Sequence, residues 1–219
     1  MSTVTDKNPP GRTLFYVRTV HTQVELGTMG ESVRRLTLQR LGADAWQRKA
    51  RFLDDMWRSI AEVVDGLPLR YECVRVYQDG LPVCGKELKI VTDLAAAGSR
   101  NHQLLLRLRE KGATIMGTES LELLMEEYDI LKQFLAHGAS SPATRLTAKQ
   151  KTASGELLHK RDQFIAARIN HTLGTGETGI LFIGLLHAIE RHLERDINVI
   201  YPVPDPLAAR PSGGAASGK

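Results

Sequence analysis

The chain is poor in cysteine: Cys73 and Cys84 are the only two among 219 residues. Their spacing matches no zinc motif, and Cys73 falls inside an expected strand. Both read as reduced thiols in a reducing compartment. No run reaches the ~18 apolar residues of a transmembrane helix. The opening residues, MSTVTDKNPPGR, lack the apolar stretch of a secretory signal peptide, so a cytoplasmic protein is expected. Aromatic residues make up only 5% and do not interleave with a basic stripe, as single-strand nucleic-acid binding requires. There is no Gly-x-Ser-x-Gly elbow, no His-Glu-x-x-His and no dinucleotide-binding glycine fingerprint. No internal repeat is found.

What is present suits a globular protein. Apolar residues make up 42% and charged residues 25%, and the length allows one substantial core. The net charge of +4 comes largely from Arg34, Arg35, Arg40, Arg48, Lys49, Arg51 and Arg58. Acidic residues intersperse with them, so they read as a solvated helix face and not as a nucleic-acid surface. Residues 1–12 and 204–219 are polar or low in complexity and read as a disordered lead and tail around a single domain, 13–203.

Within that domain, strands and helices alternate. Strands are expected at 14–21, 70–77, 113–117, 179–184 and 197–203. Helices are expected at 44–65, from Ser99 to Gly112, at 119–136, at 156–173 and briefly near 186–194. Residues 87–95 fit either type, and 138–155 read as a loop or linker. Asp79-Gly80 is a turn signal that ends the second strand. The pattern predicts an α/β fold, a mostly parallel sheet of about five strands with helices on both faces.

Ligands of open parallel sheets bind beyond the carboxyl ends of the strands. His21 with Glu25, Asp79, Glu119 and His187 fall at those ends. Each has a plain structural alternative: a turn for Asp79, a helix first turn for Glu119, a single hydrogen bond for either histidine. Arg161 and Asp162 interrupt an apolar arc of Leu157, Leu158, Phe164, Ile165, Ile169 and Leu173, and a charge buried there needs a partner. Gly98-Ser99-Arg100-Asn101 opens a helix, so Ser99 and Asn101 are anion- or cofactor-binding candidates; an ordinary N-cap explains them as well. The glycines from Gly174 to Gly179 lack the lysine of a phosphate loop and precede a strand. They read as a helix-to-strand turn.

The segment from Arg161 to Leu193, RDQFIAARINHTLGTGETGILFIGLLHAIERHL, resembles the closing motif of the TraB/Tiki superfamily, which includes erythromycin esterase-like and ChaN-like proteins. Arg161-Asp162 matches its charged pair and Gly184-Leu-Leu-His187 its Gly-x-x-His. His21 takes the place of the first-strand histidine, with Arg18 where that motif has glycine. Glu119 takes the place of a glutamate after a middle strand. The resemblance implies a hydrolase of esters or amides, with a small-molecule or peptide substrate. His21 and His187 would be metal ligands or acid–base groups, with Glu119 activating water or completing a site for a divalent metal. Arg161 would orient a carboxylate or stabilise an oxyanion. A metal- or haem-binding module without turnover and an interaction protein with structural histidines are the alternatives. A homo-oligomer is open; a membrane partner is not expected.

Overall fold

The computed structural model describes residues 11–20, 30–138 and 148–204. The strands are β1 (Arg12–Thr19), β2 (Val74–Pro82), β3 (Thr114–Glu119), β4 (Thr178–Gly184) and β5 (Ile197–Ile200). They form one parallel sheet in the order β3-β2-β4-β1-β5. The helices are α1 (Gly30–Asp65), α2 (Glu87–Ala96), α3 (Arg100–Glu110), α4 (Leu121–Gly138) and α5 (Ala148–Thr172). The expected α/β class, with helices on both faces of a five-stranded sheet, is the architecture observed.

Alternation along the central strands divides the core in two. Val74 and Val76 of β2, with Ile180 and Phe182 of β4, pack against Trp57, Ile60 and Val64 of α1 and Leu104, Leu105 and Leu108 of α3. Tyr77, Leu181 and Ile183 turn the other way, onto Ile165, Ala166, Ile169 and Leu173 of α5. Both faces of β4 are therefore covered, which explains its unbroken apolar run. Connections that step toward β3 use the α1–α3 face, and those that step back use the α5 face, as a single crossover hand requires. The chain thus leaves β2 and β4, which are neighbours, toward opposite faces. A crevice at their carboxyl ends follows from that topology.

Several expectations are corrected. β2 does not end at Asp79-Gly80 but continues to Pro82. Gln78 pairs with Gly117 and Pro82 with Glu119, so four steps along β2 match two along β3. Gly80 absorbs this bulge at φ 79°, in the left-handed region. Cys73 lies in a 3-10 turn, Tyr71–Cys73, that precedes the strand. Residues 87–96 are helical, and α5 begins at Ala148, inside the expected linker. Helix also precedes Asp44, back to Gly30, interrupted by non-helical Gly42. The expected helix near 186–194 is a short 3-10 turn, Ile189–His192, and the last strand stops at Ile200. Phe164, placed in the buried arc of α5, is 36% exposed. Among the described residues, no helix is long and apolar enough to cross a membrane.

Candidate active site

Five side chains from four elements meet at the crevice. Asp79 comes from the bulge of β2, Glu119 from the last position of β3, Arg161 and Asp162 from α5, and His187 from the turn after β4. All are buried, with Asp79 3%, Glu119 0%, Arg161 5%, Asp162 2% and His187 6% exposed.

The bulge aims the carboxylates. The carbonyl of Glu119 accepts from the Val83 amide at 2.9 Å, which ties the end of β3 to the strand that carries Asp79. The Thr118 hydroxyl donates to the carbonyl of Gln78. The side-chain amide of Gln78 donates from Nε2 to the backbone carbonyl of Asp79 at 2.8 Å. The Asp79 side chain then replaces a ladder acceptor: its Oδ2 takes the Gly184 amide of β4 at 2.9 Å.

Arg161 links the carboxylates. Its Nη2 donates to Glu119 Oε1 at 2.6 Å and to Asp79 Oδ1 at 2.9 Å, and its Nε donates to Glu119 Oε2 at 3.3 Å. Nη1 donates outward to Glu127 Oε1 on α4 at 2.7 Å. This paired contact on Glu119 is the fork geometry that favours arginine over lysine. A charge in the apolar arc of α5 is thereby compensated.

His187 sits between two carboxylates. Its Nδ1 donates to Asp162 Oδ1 at 2.6 Å, while Asp162 Oδ2 accepts from the Ala188 amide at 3.1 Å. Its Nε2 faces Asp79 Oδ2 at 3.4 Å. Burial alone lowers the proton affinity of His187, but the hydrogen bond to Asp79 and its charge outweigh it, and the pKa is raised. Glu119 moves the other way from a usual carboxylate. Burial raises its pKa to about 7, against the lowering effect of Arg161.

The structure brings together three of the four catalytic candidates, Glu119, Arg161 and His187. His21, with its neighbour Glu25, lies outside the described residues. Asp79 joins the cluster although its sequence context reads as a turn; Glu127 sits mid-helix with no sequence signal. Ser99 is the N-cap of α3: its hydroxyl accepts the His102 amide at 3.4 Å and meets His102 Nδ1 at 2.8 Å. Asn101 is buried in the first turn of the same helix.

Ligand atoms of Asp79, Glu119 and His187 lie within 4.8 Å of one another. The Nε2–Oδ2 spacing of 3.4 Å is close to that of two ligands sharing a metal about 2.1 Å from each. Two carboxylates and an imidazole suit zinc or manganese, and three protein ligands leave a position for water. Asp162 supplies the carboxylate behind the histidine that usually accompanies such ligation. The donor set therefore fits a divalent cation, which would share both carboxylates with Arg161. Comparison with known proteins matches no family model, no curated sequence and no solved structure.

Proposed function

We propose that this cluster is the active centre of a hydrolase of the TraB/Tiki type, acting on an ester or amide. The observation that carries the reading is the bracketing of His187 by two buried carboxylates, one on each ring nitrogen. A neutral imidazole has one N–H and serves only one of them. The other nitrogen then turns a lone pair toward Asp79, a buried repulsion unless the ring is charged or a cation lies between them. Either state is reactive.

In this reading Asp162 fixes the Nδ1–H tautomer and directs Nε2 into the site. Glu119, with a pKa near 7, accepts a proton from the attacking water and returns it to the leaving group at neutral pH. Arg161 holds Glu119 and Asp79 in register and offsets their charge. Alternatively, a divalent cation held by Asp79, Glu119 and His187 would supply Lewis acidity and a more acidic bound water, with Glu119 then a ligand and not the base. The two free thiols accord with a reducing compartment, and we assign the protein to the cytoplasm.

The test is a panel of esters and peptides with and without added manganese, zinc or cobalt, together with metal analysis of the purified protein. His187→Ala and Glu119→Gln are expected to abolish turnover while the chain stays folded by circular dichroism. Absence of hydrolysis by the wild type under all these conditions would overturn the reading.

The burial of every site side chain favours a second reading, a metal-binding module without turnover. Stoichiometric binding of a divalent metal with no hydrolysis would select it.

A further inference from the structure

No side chain of the cluster is more than 6% exposed, so a ligand must displace something to reach it. Nε and Nη2 of Arg161 donate to Glu119 and Asp79, both buried. Nη1 is different. It donates at 2.7 Å to Glu127, whose side chain is 49% exposed against 6% for Arg161. Glu127 sits at the centre of the helical arc formed by Leu123, Leu124, Ile130 and Leu131, so its carboxylate reaches inward from the packed face of α4. Yet α4 sits lightly on the domain. None of its residues of described burial is buried, and Leu121 and Met125 on its far side are exposed. An ion pair with a half-exposed member is weak, whereas a buried pair is costly to break. The network therefore opens first at Glu127. The other exposed charge nearby, Arg191, stands 3.9 Å from Asp162, on the Nδ1 side of His187 and away from the crevice. Removing Glu127 uncovers Nη1 on the guanidinium that holds Glu119. Another carboxylate in that place leaves the charge of the cluster unchanged. A neutral ligand would replace a charge-assisted bond with a weaker one.

We propose that Glu127 is a built-in occupant of the ligand site: the carboxylate of an incoming molecule displaces it from Arg161 Nη1, and the cluster is entered from the α4 side. Glu127 then competes with the ligand, and its pairing with Arg161 is an autoinhibitory contact. The exchange itself requires no turnover. The substrate class rests on the hydrolase reading: an ester or amide that carries a carboxylate close to the scissile bond, so that Nη1 holds the one while Glu119 faces the other.

The full chain and its Glu127→Ala variant are titrated with acetate, and with acetamide at equal ionic strength, while NMR follows the Nε–H signal of Arg161. Glu127→Ala is expected to bind acetate at least about ten times more tightly than the wild type. That ratio corresponds to a contact that frees Nη1 no more than about a tenth of the time. Glu127→Gln keeps an acceptor without its charge and should fall between the two. Acetamide should bind neither protein. Acetate should also raise the urea midpoint of Glu127→Ala more than that of the wild type, a response that loss of a purely structural contact would not produce. Equal affinity of both proteins for acetate, binding by neither, or acetamide bound as tightly as acetate overturns the proposal. So does an acetate response in Glu127→Ala that leaves the Arg161 signal unmoved. For the substrate class, monomethyl succinate is compared with methyl butyrate, in which a methyl group replaces the carboxylate. The charged ester is expected to show at least about a ten-fold higher kcat/KM, with its KM lowered in Glu127→Ala. Acetate exchange without hydrolysis of any ester or peptide leaves the exchange standing without the hydrolase. Hydrolysis of both esters at equal kcat/KM, with acetate bound equally by both proteins, does the reverse.

Discussion

Asp162 and His187, 25 positions apart in the chain, meet through a 2.6 Å hydrogen bond between a buried carboxylate and Nδ1. That bond decides which nitrogen faces the crevice. It also makes Asp162, which touches no other member of the cluster by a direct bond, a determinant of what His187 can do.

Asp162→Asn is the conservative test. An amide accepts more weakly than a carboxylate, and it can rotate to offer Nδ1 an N–H, freeing the other tautomer. Affinity for manganese or zinc is expected to fall about 10- to 100-fold, the usual loss when the partner behind a histidine ligand is removed. Calorimetry measures it, and NMR of the imidazole should show a lower pKa. Unchanged metal affinity with unchanged imidazole chemistry would contradict the role given to Asp162.

Arg161→Met is expected to be strongly destabilising. It leaves Asp79 and Glu119, both buried, with no guanidinium between them. Breaking one side of a buried ion pair costs about 3–5 kcal/mol. Urea denaturation checks the size of the effect. Adding Glu119→Gln removes one of the stranded charges, so the double variant should be more stable than Arg161→Met alone. A double variant less stable than the single would show that the network is not held together by charge compensation.

The same network sets a pH dependence. The pKa of Glu119 rises from an ordinary 4.5 to about 7 in the folded protein, mainly through burial. The folded state therefore binds more protons than the unfolded state between these values, and stability falls as pH rises through them. His187, also raised, is most stabilising when charged, and its contribution is lost as pH passes above its folded pKa. Both effects act in one direction. The lowered carboxylates Asp65 and Glu177 lose their contribution only below pH 4.5, outside this window. Urea midpoints from pH 5 to pH 8 should decline, by on the order of 1–3 kcal/mol in free energy. Glu119→Gln should flatten the curve up to about pH 7 and leave only the contribution of His187. A midpoint that rises over this range would contradict the assignment.

Much of the site was legible because burial leaves marks in a sequence. Arg161 stood out as a charge in an apolar arc, and His187 as a polar residue ending an all-apolar strand. Glu119 was placed by its position after the expected strand at 113–117, and it is in fact the last residue of β3. Asp79 was placed at a strand end but not assigned to the site, because Asp-Gly signals a turn wherever the chain reverses, and only strand pairing distinguishes a reversal from a bulge. Gly80 has the positive φ that the turn reading expects, but β2 resumes beyond it to pair Pro82 with Glu119. The early part of α1 and the start of α5 were missed for a different reason: their polar, arginine- or lysine-rich composition carries little helical periodicity.

The bulge gives the last prediction, at Gly117. A Cβ there would lie 2.8 Å from the carbonyl oxygen of Pro82, the last residue of β2, and 3.0 Å from the Cα of Val83 just beyond it, both backbone atoms that cannot rotate away. Gly117→Ala must therefore push β3 from β2 at the point where Pro82 pairs with Glu119. Overpacking of this kind costs about 1–3 kcal/mol. The displaced element carries a site carboxylate, so metal affinity should fall together with stability. Gly155→Ala is the control: it lies in α5 with no atom within 4 Å of the added methyl, and alanine there should raise stability by about 0.5–1 kcal/mol. If Gly117→Ala lowers stability yet leaves metal affinity equal to that of Gly155→Ala, the bulge shapes the sheet without positioning Glu119. If both fall in Gly117→Ala alone, the irregular pairing of β2 with β3 is what places the two carboxylates against His187.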